Sequence, residues 1–275
     1  MLVFDHAWRA TKGARDYQED SAAFWTSGAP GGEPQGAVGG ARRGELVVVL
    51  ADGMGGHAGG ALASRMACER FVAGFGERPG ATRDRLLGAL TAANDAIAEA
   101  VGNNPMLSGM GSTLVGVWFG PLGVEWVSVG DSPLLLFRRG EVALLNEDHS
   151  LAPELDRMAA AGHITADEAR RDPRRHMLRS AVTGEEIDLV DVSRRPLAIE
   201  PGDLIILASD GLHTLETSEI ERIAAAYARD GADAVAAALI RAVEAVRDPH
   251  QDNATVVVVR PMGEGERSVA SATTG

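Results

Sequence analysis

The sequence predicts an α+β fold in which a central antiparallel β-sandwich carries a pair of helices on each outer face, a four-layer αββα arrangement. Short apolar runs typical of strands alternate with two blocks of amphipathic helix. Four of the strands lie between the helix blocks and are joined by short turns such as Arg139-Gly140. Short turns connect antiparallel neighbours, whereas parallel strands need long crossovers, so a strictly alternating β-α-β chain is disfavoured.

The individual elements follow from the spacing of apolar residues. Uninterrupted apolar runs predict strands at residues 21–25, 46–51, 113–119, 124–129, 134–137, 204–208 and 255–259. The first helix pair is predicted at residues 61–75 and 86–101, where apolar positions recur at steps of three or four. The same spacing predicts a second pair over residues 220–227 and 235–246.

We expect residues 1–262 to form a single domain. The Gly-rich stretch 27–44 shows neither helical nor strand periodicity and is predicted to be a flexible surface loop. Residues 150–183 contain two prolines and many charges, which indicates a helical insertion on the surface. Residues 263–275 are rich in Gly, Ser and Thr and are expected to form a flexible tail.

Composition disfavours several classes of protein. The 275 residues include 26 basic and 39 acidic side chains, a formal charge of −13 that repels polyphosphate and disfavours nucleic-acid binding. Apolar stretches fall short of the roughly 18 residues of a membrane span. Asp5 stands where a signal peptide would carry its apolar core, and the single cysteine, Cys68, cannot form an internal disulfide. We therefore expect a cytoplasmic protein.

Acidic residues recur where the predicted strands begin or end. They are Glu19, Asp20, Asp52, Asp131, Asp210 and Asp252. One rim of a sandwich can gather such residues, and clustered carboxylates require a compensating cation because each raises the pKa of its neighbours. Oxygen ligands without a cysteine or histidine set favour Mg²⁺ or Mn²⁺ over zinc. The alternative is that Asp-Gly and Gly-Asp-Ser simply form turns.

The glycine-rich stretch 52–60 permits a rival interpretation. A strand, then Gly53-x-Gly55-x-x-Ala58 and a helix match the loose dinucleotide-binding fingerprint. The following segments are helical until about Asn104, so no second parallel strand brings an acidic residue to a ribose. Two interpretations of this stretch are left: a plain turn that caps the following helix, and a turn that carries a metal ligand.

Six short motifs follow one another along the chain. They are Arg15-x-x-Gln-Glu19-Asp20, Asp52-Gly-Met-Gly-Gly-His57, Gly109-Met-Gly-Ser-Thr113, Gly130-Asp131-Ser132, Ser209-Asp210-Gly211 and Asp252-Asn253-x-Thr255. Over about residues 10–260 the chain thereby resembles the metal-dependent type 2C serine/threonine protein phosphatases (the PPM family) in their compact bacterial form. The resemblance implies the αββα sandwich and a binuclear Mg²⁺ or Mn²⁺ centre, with a third, weaker ion in bacterial relatives.

The resemblance also implies a role for each site residue. Asp52 would bridge two ions, Gly53 would contribute its carbonyl, and Asp210 and Asp252 would be the remaining ligands of the first ion. Glu19 and Asp20 would hold the waters of the second ion, and Asp131 would bind the third. Arg15 would hold the substrate phosphate, although an isolated arginine usually forms a surface ion pair. His57 would protonate the leaving oxygen or, alternatively, face water in a first helical turn. Pro133 departs from the family pattern, in which an arginine commonly follows the Asp131 turn.

The expected activity is hydrolysis of phosphoserine and phosphothreonine in proteins by metal-activated water. Residues 150–183 resemble the family's flap, which borders the active site. Phosphorylated substrates of a serine/threonine kinase are the expected partners, and the chain is expected to act as a monomer. Two alternatives stay open: a catalytically dead, phosphatase-like module that binds phosphoproteins, and a hydrolase of small phosphate esters.

Overall fold

The computed structural model describes residues 3–26, 40–56 and 58–262. His57, the predicted tail 263–275 and most of the predicted loop 27–44 lie outside these ranges.

The described residues form strands that belong to two large sheets and one short two-stranded sheet. In chain order they are β1 (Val3–Thr11), β2 (Ser21–Thr26), β3 (Gly40–Arg43), β4 (Leu46–Ala51), β5 (Gly53–Met54), β6 (Gly111–Ser112), β7 (Leu114–Gly120), β8 (Gly123–Val129), β9 (Leu134–Arg138), β10 (Glu141–Leu144), β11 (Asp191–Val192), β12 (Leu204–Ala208) and β13 (Ala254–Pro261). One sheet has the order β10-β9-β12-β13-β1-β3 and the other β11-β8-β7-β4-β2, while β5 pairs with β6. The pairings in all three are antiparallel, as predicted.

Two pairs of helices cover the outer faces of the sandwich. In chain order the α-helices of the described residues are α1 (Ala58–Glu77), α2 (Thr82–Asn103), α3 (Ala152–Ala160), α4 (Ala166–Arg171), α5 (Thr217–Tyr227) and α6 (Ala232–Val246), of which α3 and α4 lie in the predicted insertion. Helices α1 and α2 pack on the five-stranded sheet, and α5 and α6 on the six-stranded sheet. The predicted four-layer αββα class is confirmed. No helix of the described ranges is long and apolar enough to cross a bilayer.

The central strands β4 and β12 are apolar along their whole length, and β13 over most of its length, because both faces of these strands are buried. In β13, Val257 and Val259 point into the space between the sheets, whereas Val256 and Val258 point toward α5 and α6. Successive side chains of a strand alternate between faces, so a strand between two apolar layers needs hydrophobic residues at every position. This requirement explains why strands appear as uninterrupted apolar runs in the sequence.

Two strands at one side of the six-stranded sheet escaped prediction. The interpretation of residues 40–43 as part of a loop is wrong, because Gly40–Arg43 is an edge strand paired with β1. Strand β1, which the sequence pattern does not predict, pairs with both β3 and β13. At the sheet edge β3 pairs through main-chain hydrogen bonds, which tolerate arginine and glycine. Its sequence therefore lacks the apolar run that predicts a strand.

The register of the sheets brings strand ends together at one rim. Ser21 pairs with Ala51, so the start of β2 lies beside the end of β4. Ala208 pairs with Val256, so the end of β12 lies beside the start of β13. The residues just outside these paired strand ends therefore meet at the same edge of the sandwich.

Phe71 of α1 fills the space above Gly116 in the middle of β7, and its side chain is fully buried. We predict that Phe71→Ala lowers the free energy of unfolding by about 3–5 kcal/mol, since a large ring leaves a cavity that its neighbours fill poorly. The neighbouring Arg70 is exposed, and Arg70→Ala is the control, with a change within about 0.5 kcal/mol. Denaturant unfolding of both variants measures the difference, and equal midpoints would contradict this packing.

Candidate active site

A cleft of about 670 Å³ opens at the rim where the strand ends meet. It gathers most of the residues that the sequence singled out, and these are Arg15, Glu19, Asp52, Gly53, Asp131, Asp210 and Asp252. Asp20 is buried next to them, close enough for its charge to act on Asp52. His57 belongs to the part of the chain that the structure does not describe.

Asp52 follows β4, and two hydroxyl residues hold its main chain. Thr113 donates its main-chain N–H to Asp52 O (2.9 Å), and its Oγ1 accepts from Asp52 N (3.0 Å). Ser112 Oγ also donates to Asp52 O (2.8 Å). Thr113 Oγ1 shares a further hydrogen bond of 2.7 Å with Ser132 Oγ, in the turn that carries Asp131. The Gly-x-Gly-Ser-Thr motif thus ties two site aspartates to one another.

Asp20 is 7% exposed and has one satisfied carboxylate oxygen. Its Oδ2 accepts from Ser209 Oγ at 2.8 Å, and the same Oγ accepts from Thr255 N at 2.9 Å. Its Oδ1 is buried and finds no hydrogen-bond donor among the described residues. A buried acceptor without a donor is costly, and a bound cation or an ordered water would satisfy it.

Asn253 fixes the segment that carries Glu19 to the start of β13. Its Oδ1 accepts from Glu19 N at 2.7 Å, and its Nδ2 donates to the carbonyls of Tyr17 (2.9 Å) and Lys12 (3.0 Å). Its main-chain N–H donates to Asp252 Oδ1 at 2.7 Å. A neutral amide therefore aligns the acidic pair with Asp252.

Arg15 forms an ion pair with a carboxylate of the site. Its Nη2 lies 2.5 Å from Asp252 Oδ2, and the arginine side chain is 54% exposed. Such an exposed pair contributes little stability. The sequence left open a surface ion pair or a phosphate-binding role, and in this position the guanidinium can exchange Asp252 for an anion that enters the cleft.

The glycines after Asp52 allow close packing around Glu19. A Cβ at Gly53 would collide with the carbonyl of Gly60 in α1, and a Cβ at Gly60 would collide with Glu19 Oε1. The stretch contains β5, which pairs antiparallel with the distant strand β6, and then leads into α1. The dinucleotide-binding alternative, which needs a parallel β-α-β unit, does not match this topology.

Burial and mutual repulsion act on the carboxylates of the cleft. Burial raises the pKa of Asp52 well above its ordinary value, and the charges of Asp20 and Asp210 raise it further. Burial raises the pKa of Asp20 to about 6 and, together with the charge of Asp210, the pKa of Asp131 to about 7. The pKa of Asp210 is also raised, first by burial and then by Asp252. This concentration of negative charge favours a cation.

The donor set of the cleft fits hard divalent cations. The residues that face it offer carboxylate and carbonyl oxygens, which Mg²⁺ and Mn²⁺ prefer. Within the described ranges, no three such side chains already converge on one point as a ligand set. The carboxylates are instead engaged by Arg15, Ser209 and Asn253.

Pro133 is compatible with the position of Asp131. The aspartate is 8% exposed and lines the cleft. The carbonyl of Pro133 accepts from Ala208 N at 3.0 Å, so the turn joins β12 directly. The proline leaves Asp131 at the rim without the arginine that is common in the family.

Another part of the cleft lining consists of residues that the sequence did not single out individually, although residues 150–183 were expected to border the site as a flap. These are His176, Leu178, Arg179, Ser180, Ala181, Thr183, Glu185, Glu186 and Asp188. They belong to the predicted insertion and the segment after it, outside the large sheets. Exposed charged residues without strand or helix periodicity carry no sequence signal for a site.

Comparison with known proteins gives a consistent family. A family model described as Protein phosphatase 2C matches residues 35–254. The chain is 35% identical over 217 residues to the serine/threonine protein phosphatase PstP of Mycobacterium tuberculosis, a match of 78% of this chain and 40% of that protein. It is 32% identical over 187 residues to the protein phosphatase PhpP of Streptococcus pneumoniae, which covers 66% of this chain and 74% of PhpP. The chain thus spans less than half the length of PstP.

Solved structures agree with this assignment. The catalytic domain of PstP in complex with two manganese ions superposes with a TM-score of 0.71 at 30% identity, covering 96% of this chain and all of that one. The PPM Ser-Thr phosphatase MsPP of Mycobacterium smegmatis, in complex with cacodylate, gives a TM-score of 0.69 at 30% identity, over 93% of this chain and 97% of MsPP. The matched region includes the rim with its cluster of aspartates, and the chain belongs to the protein phosphatase 2C family.

Proposed function

We propose that this chain is a metal-dependent phosphatase that hydrolyses phosphoserine and phosphothreonine in proteins. The observation that carries the proposal is the gathering of aspartates from the ends of separate strands, together with Arg15, in a single cleft. When bound, two divalent cations lower the pKa of a water between them and neutralise charge on the phosphoryl oxygens. The manganese ions of the PstP catalytic domain support this choice of metal.

The proposed cation ligands are the oxygen donors of the cleft. Asp52 would bridge the two ions, with Gly53 (carbonyl), Asp210, Asp252, Glu19 and Asp20 around them and Asp131 at a third ion. The orphaned Oδ1 of Asp20 and the raised pKa of Asp52 support this assignment, because both a missing donor and charge repulsion are relieved by a cation.

Arg15 would hold the substrate phosphate. On substrate binding its guanidinium would leave Asp252 and donate two parallel hydrogen bonds to phosphoryl oxygens, a geometry suited to a planar fork. Asp252 would then be free to bind a cation. We further propose His57 as the group that protonates the departing serine or threonine oxygen.

We propose that residues 1–262 act as one catalytic domain in which residues 150–183 serve as a flap. Helices α3 and α4 lie in this segment, and its final residues, 176–183, contribute to the cleft wall. Arg175 joins the flap's last part to α3 through two hydrogen bonds to Asp156 (2.8 and 2.9 Å). A substrate protein would contact this wall while its phosphate is held by Arg15 beside the proposed cation site.

The proposal includes a cellular setting. The substrates would be proteins phosphorylated by a serine/threonine kinase, and the enzyme would act as a monomer in the cytoplasm. The similarity to PhpP and PstP supports phosphoprotein substrates. The buried, unpaired thiol of Cys68 suits a reducing compartment.

Turnover of a phosphothreonine peptide and of p-nitrophenyl phosphate, with Mn²⁺ and with a chelator, tests the function. We expect Mn²⁺-dependent release of phosphate from both substrates and higher kcat/KM for the peptide. Binding of the peptide without any turnover would instead identify a dead binding module. Turnover of small esters alone would identify a small-ester hydrolase.

Asp52→Asn tests the proposed bridging carboxylate. Removal of the bridging charge should reduce turnover on the order of 10³-fold, since charge stabilisation by metals supplies several kcal/mol. Thermal stability of the metal-free variant should not fall, because one repelling charge is removed. The exposed Asp95 of α2 provides a control, and Asp95→Asn should keep full activity. Normal turnover of Asp52→Asn would overturn the proposed metal centre.

Arg15→Ala tests the proposed contact with the substrate phosphate. Loss of charge-assisted hydrogen bonds of about 1.5–3 kcal/mol should raise KM for the phosphopeptide by about ten- to a hundredfold. The inhibition constant of free phosphate should rise by a similar factor. Arg9, which pairs with Asp233 at 2.6 Å outside the cleft, is the matched control. If Arg15→Ala and Arg9→Ala give the same KM and phosphate inhibition, Arg15 only forms an ion pair.

The stability of the metal-free protein should depend on pH. Since the pKa of Asp131 is raised to about 7 and that of Asp52 lies well above the ordinary value, the native state holds more protons than the unfolded state near neutral pH. Stability should therefore fall as pH rises from 6.5 to 8. His149 and His213, whose pKa values are lowered by burial, act in the opposite direction because unfolding lets them take up protons, and this contribution fades as the pH rises above their ordinary pKa of 6.5.

Urea unfolding in the presence of EDTA at these two pH values measures this change in stability. Asp131→Asn should show a shallower decline, and added Mn²⁺ should restore stability at pH 8. A metal-free stability that is constant or rises over the interval would contradict the clustering of these carboxylates.

A further inference from the structure

Gln251 lies immediately before Asp252 and takes no direct part in the proposed chemistry. Its side chain is 6% exposed, and all of its polar hydrogens have acceptors. Nε2 donates to the carbonyls of Gly211 (3.1 Å) and Asp252 (3.1 Å), and Oε1 accepts from Thr214 Oγ1 (2.6 Å). An amide has two N–H hydrogens and one carbonyl oxygen, so each part of this side chain is engaged.

The partners of this amide flank the two neighbouring site aspartates. Gly211 directly follows Asp210, and both Gly211 and Thr214 belong to the 3₁₀ turn Asp210–Thr214. The amide therefore bonds the turn after β12 on one side and the residue before β13 on the other. It spans the gap between the segments that carry Asp210 and Asp252.

These two aspartates repel each other at close range. The charge of Asp252 is among the causes that raise the pKa of Asp210, after burial. Repulsion between neighbouring carboxylates pushes the segments that carry them apart. A neutral amide that bonds both main chains opposes this separation without competing for a cation.

The main chain of Gln251 makes a separate contact with the loop that precedes Arg15. Gln251 O accepts from Ala14 N at 2.8 Å, and Gly13 packs so closely that a Cβ there would lie 2.6 Å from the same oxygen. The same glycine also packs against Cγ of the Gln251 side chain, an atom that methionine retains. Replacement of the side chain by methionine should therefore affect the two aspartates and leave the Arg15 loop in place.

We propose, building on the function proposed above, that Gln251 is a positioning residue whose side-chain amide sets the spacing of the Asp210 and Asp252 carboxylates. Through this spacing it sets the affinity for the divalent cation that both would hold. Preorganised ligands bind a cation more tightly because less conformational freedom is lost on binding.

Gln251→Met tests the role, since methionine keeps the length and most of the volume of the side chain and lacks the hydrogen bonds. Titration calorimetry of Mn²⁺ into the metal-free full chain, without substrate, should show a dissociation constant raised about tenfold or more, as is typical for loss of outer-shell support. The kcat at saturating Mn²⁺ and inhibition by phosphate should stay close to those of the unchanged protein.

Thr214→Val removes a single hydrogen bond of the same link at a half-buried position and should weaken Mn²⁺ binding to a smaller extent. The double variant should bind Mn²⁺ no more weakly than Gln251→Met alone, because both changes break one link. If Gln251→Met does not fold, Thr214→Val decides: weaker Mn²⁺ binding supports the role, and unchanged binding overturns it.

Asp203→Asn is the structural control. Asp203 is buried before β12, at the opposite end of that strand from Asp210, and accepts from Arg138 at 2.9 and 2.7 Å. It should lower the melting temperature and leave the Mn²⁺ dissociation constant unchanged. A Gln251→Met protein that behaves in the same way, less stable but with unaltered Mn²⁺ affinity, would overturn the positioning role.

The calorimetric readout separates this inference from the proposed function. An unchanged protein that binds Mn²⁺ and releases no phosphate from any ester would overturn the function, while the shift in Gln251→Met would still establish the positioning role. Phosphate release with equal Mn²⁺ affinity in both proteins would overturn the positioning role alone.

Discussion

The constraint on which this structure depends is the repulsion among carboxylates that share one rim of the sandwich. Asp20, Asp52, Asp131 and Asp210 are largely withdrawn from water and close enough to raise one another's pKa values. Such an arrangement opposes folding unless a cation or protons compensate it. The rest of the fold keeps these groups together, which is the condition for binding metal ions tightly.

The neighbouring polar side chains act mainly on the main chain and on single carboxylate oxygens. Thr113 and Ser112 hold the backbone of Asp52, while Ser209 and Asn253 each engage one carboxylate oxygen of the site. These groups are neutral, so they add no charge that would compete with a cation. Other carboxylate oxygens in the cleft stay available for ligation, in line with the way outer-shell groups orient metal ligands.

The sequence allowed the sandwich to be predicted because most strands are buried on both faces. Strands 46–51 and 204–208 were predicted with the bounds that the structure gives them. Strand β3 was not predicted because main-chain pairing at a sheet edge needs no apolar run. Strand β1, which lies between β13 and β3, was not predicted because Asp5, His6 and Arg9 interrupt its apolar residues. The strand ends also indicated which aspartates could gather.

Other features of the site depend on contacts between distant parts of the chain. The pairing of Arg15 with Asp252 joins residues at opposite ends of the sequence. The link from Gln251 to Thr214 depends on the register of β12 and β13. His176 and Arg179 reach the cleft from a segment without periodicity, so no local pattern reveals them.

The number of Mn²⁺ ions bound per chain is the most direct test of the proposed metal centre. Equilibrium dialysis of the metal-free protein at neutral pH, compared with Asp52→Asn, gives this number without reference to any substrate. A carboxylate that bridges two ions, as proposed for Asp52, should give two tightly bound ions in the unchanged protein and weakened binding of both in the variant. A protein that binds no Mn²⁺, or whose binding is the same without the Asp52 charge, would contradict this metal centre.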